Sequence, residues 1–163
     1  MKKIGLLSDT HNYLDPAIFR YFAGCDEIWH AGDIGTIGIA DQLEKFKPLR
    51  AVYGNIDGAD VRKVHPKNQR FLCEKTEVWI THIGGYPGRY DKDVREEINK
   101  NPPDIFICGH SHILKVMNDK RHNLLHINPG AAGKYGLHKV RTLLRFSIDG
   151  EKINDLEVIE LED

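Results

Sequence analysis

Cysteine is scarce in this chain of 163 residues: Cys25, Cys73 and Cys108 make three, without the paired spacing of a disulfide framework or a thiolate metal site. No apolar run approaches the roughly 20 residues that a membrane-spanning helix needs. Met1-Lys2-Lys3 leads straight into a predicted strand rather than into the apolar stretch of a signal peptide. These absences argue against a stapled secreted scaffold and a helical membrane anchor, and a cytoplasmic protein is expected. Charge of one sign is missing as well. The chain sets 23 Lys and Arg against 24 Asp and Glu, a formal net charge of −1, so there is no broad basic field to hold a long nucleic acid or an anionic membrane. A small substrate is the partner expected. Internal repeats, linkers and low-complexity tracts are also lacking, and 163 residues, 40% of them hydrophobic, suffice for one compact domain over 1–163 with an unstapled core.

What is present is an alternation of apolar runs and helical segments. Lys3 to Leu7 reads as a buried strand ending in Ser8-Asp9, followed by a helix that Asp15 caps and that runs through Ile18, Phe19 and Phe22 to Gly24. Glu27 to Ala31, a helix from Ile39 to Phe46, and Leu49 to Tyr53 repeat the pattern. Strand, helix, strand, helix, strand implies right-handed crossovers and a parallel sheet with its polar residues gathered at the strand carboxyl ends. A hairpin then turns at Lys75-Thr76-Glu77 between Phe71–Glu74 and Val78–Thr81, a helix spans Tyr90 to Lys100, and Ile105 to Cys108 is a buried strand. The C-terminal third alternates in short strands, Ile113 to Met117, Leu124 to Ile127, Thr142 to Ile148 and Ile153 to Ile159, with turns at Asn118-Asp119 and Asp149-Gly150. The expected fold class is α/β with two stacked sheets and helices outside, the second sheet mostly antiparallel.

Five short blocks fall just past predicted strands: Asp9-Thr10-His11, Gly32-Asp33, Gly54-Asn55-Ile56-Asp57, Thr81-His82 and Gly109-His110-Ser111-His112. Asp57 aside, they offer two carboxylates, one amide and four imidazoles, enough nitrogen and oxygen to hold two divalent metal ions. Two ions about 3.5–4 Å apart need a shared ligand, and Asp33 is the candidate bridge. Asp9 and His11, like His110 and His112, would point to opposite faces of a regular strand, so each pair converges only where the chain has turned out of the sheet.

These ordered blocks resemble those of the calcineurin-like metallophosphoesterases, and more closely their small YfcE-type phosphodiesterases of bacteria and archaea. The resemblance implies a four-layer α/β/β/α sandwich of two stacked mixed β-sheets flanked by helices. It implies that Asp9, His11, Asp33 and His112 hold one metal and Asp33, Asn55, His82 and His110 the other, with Asp33, Asn55, Asp57 and His82 as the catalytic group. The implied reaction is hydrolysis of a small phosphodiester by a metal-bridging hydroxide. Resemblance favours manganese, while imidazole and oxygen ligands also admit zinc, nickel, iron or cobalt. A phosphomonoesterase would share the whole metal site, and one eukaryotic trafficking protein of similar fold serves as a scaffold, although its metal-site histidines are partly replaced.

The chain also departs from the wider family. Ile56 stands where many relatives carry a histidine that protonates the leaving group, and isoleucine cannot transfer a proton. Asp57 either orients a metal-ligating histidine or caps a turn. Asn128-Pro129-Gly130 is a tight turn or a shaper of the site's rim, with Ala131 where the group has serine. Lys134, His138 or Arg141 could hold a phosphate oxygen or lie in a solvated loop. Tyr86 and Arg89 could stack on and pair with a substrate from a lid over Gly84–Arg89, and Tyr13 lines the cleft or covers the sheet edge. His30 reads as a hydrogen-bonded core residue, and His65, His122 and His126 carry no readable signal. Nothing fixes the oligomeric state, although the C-terminal strands could build a homodimer.

Overall fold

The computed structural model describes residues 1–162. The chain runs β1 (Lys2–Leu7), α1 (Ala17–Tyr21), β2 (Glu27–His30), α2 (Ile37–Phe46), β3 (Leu49–Ala51), α3 (Ala59–Arg62), β4 (Asn68–Cys73), β5 (Thr76–Thr81), β6 (Gly85–Tyr86), β7 (Arg89–Tyr90), α4 (Lys92–Lys100), β8 (Ile105–Ile107), β9 (Lys115–Asp119), β10 (Leu124–Asn128), β11 (Arg141–Asp149) and β12 (Lys152–Leu161). Two five-stranded sheets result, ordered β12-β11-β1-β2-β3 and β4-β5-β8-β10-β9, with β6-β7 as a separate small ribbon.

Burial on both faces explains why β1 reads as a continuous apolar run rather than an alternating one. Ile4 and Leu6 pack between the sheets with Trp29, Val78, Ile80, Ile107 and Phe146, while Leu7 faces outward against Ile18 and Phe22 and Leu43 of α2. Gly5 is required for this second contact, since a Cβ there would come within 2.7 Å of the Phe22 ring. Each of these fully buried aliphatic side chains contributes roughly 1.5–3 kcal/mol relative to exposure. On the far face of the second sheet, Val94 and Ile98 of α4 cover Trp79, Phe106 and Leu124. The layers are therefore α, β, β, α.

The C-terminal third departs from the expectation of one further antiparallel sheet. β11 and β12 extend the first sheet, β11 running antiparallel to β1, whereas β9 and β10 join the second. That second sheet is parallel through β5-β8-β10 and antiparallel only where β4 and β9 add at its edges. Alternation identifies a strand without naming its neighbour, and here successive hairpins go to different sheets. β9 also runs on through the expected turn to Asp119, whose carboxylate accepts the backbone N–H groups of Arg121 and His122 and so makes the turn itself. The helix expected through Phe22 ends at Tyr21, with the Asp15 carboxylate accepting the Ala17 N–H at 2.9 Å. Among the described residues no helix is long and apolar enough to cross a membrane.

Candidate metal centre

The exits of β1, β2, β3, β5 and β8 lie together because the backbone ladder continues past the strands. Asp9 N donates to Gly32 O at 2.9 Å, His11 N to Asp33 O at 3.0 Å, and Gly109 N to His82 O at 2.9 Å. The chain then leaves the sheet through left-handed backbone at Asp9 (φ 53°), His11 (43°), Asp33 (56°), His110 (71°) and His112 (63°). Non-glycine residues seldom adopt this conformation, and their clustering at one place marks a functional site. Its effect is the one the two-residue spacings require: Asp9 with His11, and His110 with His112, turn to a common point.

Two groups of ligand atoms form, Asp9-His11-His112 and Asp33-His82-His110, each with its atoms within 4.8 Å of one another. The two oxygens of Asp9 divide their work. Oδ2 accepts from Ser8 Oγ at 2.6 Å and from His110 N at 3.1 Å, leaving Oδ1 to face Nε2 of His112 at 3.1 Å, His11 at 3.6 Å and His82 at 3.8 Å. Asp33 does likewise. Its Oδ1 accepts from Ile56 N at 3.1 Å, and its Oδ2 lies 3.3 Å from His11 Nε2 and 3.2 Å from His82 Nε2, between the two groups. Asn55 Oδ1 lies 3.1 Å from His110 Nδ1, which sets the amide beside the second group.

The donors fit divalent cations. His82 is 3% exposed, and its Nδ1 sits 2.7 Å from Ala31 O, so Nδ1–H donates and Nε2 is the nitrogen turned toward the carboxylates. Nε2 of His82 and Nε2 of His11 are buried with no hydrogen-bond partner. Buried nitrogens aimed at carboxylate oxygens without alignment for a hydrogen bond are what a ligand set for an ion looks like. The electrostatics agree. Burial alone would raise the Asp9 carboxyl, yet the imidazoles of His11, His112 and His82 and the Ser8 hydroxyl hold it far below the usual carboxylate range. Burial would lower His82, but Asp33 and Asp9 raise it. The field favours a cation at this point.

Residues 1–151 match the calcineurin-like phosphoesterase superfamily domain. The chain belongs to that superfamily. It is 30% identical over 166 residues to a probable metallophosphoesterase of Methanothermobacter thermautotrophicus, covering 96% of this chain and 91% of that one. In fold it resembles an archaeal phosphodiesterase, with a TM-score of 0.77 at 22% identity over 98% of this chain and 99% of the other. It also resembles Vps29 of Chaetomium thermophilum, with a TM-score of 0.76 at 17% identity over 99% and 97%. As a member of the superfamily the chain is a metal-dependent phosphoester hydrolase.

Around its candidate ligands the phosphoesterase has a supporting shell that sequence reading caught only in part. Among the described residues Asp57 hydrogen-bonds no histidine, so of the two roles read for it the structure favours the turn cap. Its buried carboxylate accepts Ile34 N at 3.1 Å, Gly35 N at 2.9 Å and Gly54 N at 2.8 Å, tying the loop that carries Asp33 to the loop that carries Asn55. Asn128 does the same for the His110 loop: its Nδ2 donates to Gly109 O at 3.0 Å and Ser111 Oγ at 3.1 Å, while its Oδ1 accepts Gly130 N. Ala131 is fully buried beneath that turn. His30 is a core residue as read. Gly32 N donates to its Nδ1, and its Nε2 lies 3.1 Å from Thr10 Oγ1, whose own hydrogen goes to Ile34 O.

The expected substrate residues divide. Tyr86 and Arg89 face each other across the β6-β7 ribbon and line a cavity of about 360 Å³ that also meets His110. Tyr13 and Lys134 instead meet each other, with Lys134 Nζ 4.5 Å over the Tyr13 ring, and line neither cavity beside the ligands. Arg141 is buried in an ion pair with Asp15 at 2.8 Å and donates to Glu162 O, so it anchors the chain end rather than a phosphate. Tyr135, not singled out from sequence, stacks on His11 with centroids 5.0 Å apart. His138 contacts the candidate ligand His112.

Proposed function

We propose that this phosphoesterase hydrolyses a small phosphodiester with two divalent ions, manganese being the ion expected, with zinc, nickel, iron or cobalt as alternatives. Asp9, His11 and His112 would hold one ion and Asn55, His82 and His110 the other, with Asp33 shared. The single observation that carries the reading is the position of Asp33 Oδ2, 3.3 Å from a histidine of one group and 3.2 Å from a histidine of the other. Bound there, two divalent ions supply activation of water near neutral pH and charge compensation at the phosphoryl group.

The chain's own residues do the rest. Ile56 N and Ala31 O fix Asp33 and His82, so the ligand set is organised before substrate arrives. Asn55 adds no negative charge, and its amide N–H₂ can donate to a phosphoryl oxygen. Ile56 is about half exposed beside it and offers no proton, so the departing alkoxide takes its proton from water or leaves as a stable anion. A diester is favoured over a monoester by the walls. Two cavities adjoin the second group of candidate ligands, one of about 320 Å³ along Asn55, Arg62, Lys67 and His82 and one of about 360 Å³ along Tyr86, Arg89, His110 and Lys115. Two ester arms need two such spaces, and a monoester needs one.

The test is hydrolysis of bis(p-nitrophenyl) phosphate and p-nitrophenyl phosphate by metal-stripped protein, with each metal restored singly, alongside Asp33→Ala. Diester turnover that metal restores and the variant lacks is the result expected. Faster monoester than diester turnover would replace the reading with a phosphomonoesterase, and no turnover with two ions bound would end the hydrolytic reading of this site.

A further inference from the structure

His126 on β10 is used neither by the ligand set nor by its supporting shell. The side chain is fully buried beside the rings of Phe106 and Tyr90, and neither ring nitrogen makes an aligned hydrogen bond, the Phe106 backbone being near enough for a weak one only. Burial, with the nearby charge of Lys115, pushes the imidazole down to about 4, so at neutral pH it holds one donor and one acceptor. Folded proteins rarely leave such a pair without a water or a ligand to serve it.

His126 belongs to the wall of the cavity that holds Tyr86, Arg89 and Lys115 and meets His110. Two cations stand there without a carboxylate partner among the described residues: exposed Arg89, and Lys115, whose Nζ lies 4.2 Å over the Tyr86 ring. The one acid in that wall, Asp91, is turned away to cap α4, accepting Asp93 N. Ser111 Oγ accepts from Ile113 N and from Asn128, which leaves its hydrogen to donate elsewhere. The cavity therefore combines two unpaired cations with a hydroxyl donor and a buried neutral imidazole.

We infer that this cavity is the subsite for one arm of the phosphodiester, and that the arm carries a hydroxyl and a second anionic group, as a sugar phosphate or a hydroxy acid does. Arg89 and Lys115 take the anion, because a guanidinium and an ammonium together suit phosphate or carboxylate oxygens. His126 and Ser111 take the hydroxyl, which both donates and accepts. The inference rests on the phosphodiesterase reading of the metal centre.

Four p-nitrophenyl phosphodiesters with one leaving group test it, the second arm being propyl, glyceryl, glyceric acid or glyceryl phosphate, with the metal-loaded protein. From propyl to glyceryl kcat/KM rises about threefold, and an anionic tip adds about tenfold more, as neutral and charge-assisted hydrogen bonds predict. In Arg89→Gln/Lys115→Gln the second step disappears and the first remains. In His126→Phe the first step disappears, and His126→Gln, which keeps a donor and an acceptor, restores part of it. A larger step for phosphate than for carboxylate assigns a sugar phosphate, and the reverse a hydroxy acid. Equal kcat/KM for all four, or steps that persist in the variants, overturns the subsite and leaves the phosphodiesterase standing. No metal-dependent turnover of any of the four overturns the phosphodiesterase reading, and the subsite with it.

Discussion

Nδ1 of His112 lies 3.2 Å from Nδ1 of His138, and the remaining ring nitrogen of His138 lies 2.7 Å from the Gly133 carbonyl. A carbonyl can only accept, so His138 Nε2 carries its proton and its Nδ1 is the acceptor. His112 must then donate from Nδ1, so Nε2, which faces Asp9, is the nitrogen that would take an ion in place of its own proton. His138 thus sets the tautomer of a proposed ligand without touching the ion. In His138→Ala, calorimetric titration of metal-free protein should show one ion bound about 10–100-fold more weakly and the other little changed. His138→Gln, which can still accept, should recover part of the loss. Two ions bound in His138→Ala as in the parent would remove this role.

A methyl group at Gly54 should be enough to disable the centre. A Cβ there would stand 2.1 Å from Asp33 Oδ1 and 2.4 Å from Asp33 N, and backbone cannot yield to it cheaply. Gly54→Ala should cost at least about a hundredfold in kcat/KM, as displacement of a reacting group by about 1 Å does. Gly24→Ala, where nothing lies within 4 Å, is the control and should leave turnover unchanged.

Asp57 holds two ligand loops to each other through three backbone amides. Asp57→Ala leaves those amides without an acceptor, and urea unfolding of the metal-free variant should show a loss of about 2–4 kcal/mol. Metal affinity should fall with it, since the Asp33 and Asn55 loops lose their common tether. Unaltered stability would mean that the loops hold their positions without this carboxylate.

Buried histidines set the response to acid. Burial pushes His30 down to about 3 and His126 to about 4, below the value near 6.5 that each regains on unfolding. The unfolded chain therefore binds more protons between these limits, and each residue's contribution to stability falls as pH drops from about 6.5 toward its folded value. Metal-free His126→Phe should lose about 2 kcal/mol less than the parent between pH 7 and pH 5, read from urea midpoints at the two values. Equal losses would show that His126 is not depressed.

The candidate ligand blocks that the fold brings together were legible in the sequence because each lies within a few residues of a strand end, and buried parallel strands announce themselves as apolar runs that stop at polar residues. Ile4 to Leu7 before Asp9 and Ile105 to Cys108 before Gly109 are of this kind. Partner choice was not legible: β9 and β11 carry similar patterns and enter different sheets, because sheet membership is decided by contacts far along the chain. The four-residue α3 is too short to show a period. Tyr135 meets His11 across 124 positions, and Asp57 reaches Ile34 across 23. Neither separation leaves a local trace, so Asp57 could be recognised as present but not assigned its partners.

The left-handed backbone at Asp9, His11, Asp33, His110 and His112 sets the interests of folding and of chemistry against each other at the same positions. Glycine adopts that conformation freely, whereas side-chain-bearing residues there cost about 1–3 kcal/mol each. At His11 and His112 the residue that would make the fold most comfortable is therefore one that binds nothing. A descendant of this chain relieved of hydrolysis would gain stability as it shed these ligands, so disuse alone, without selection against activity, suffices to erase the centre while the sandwich persists.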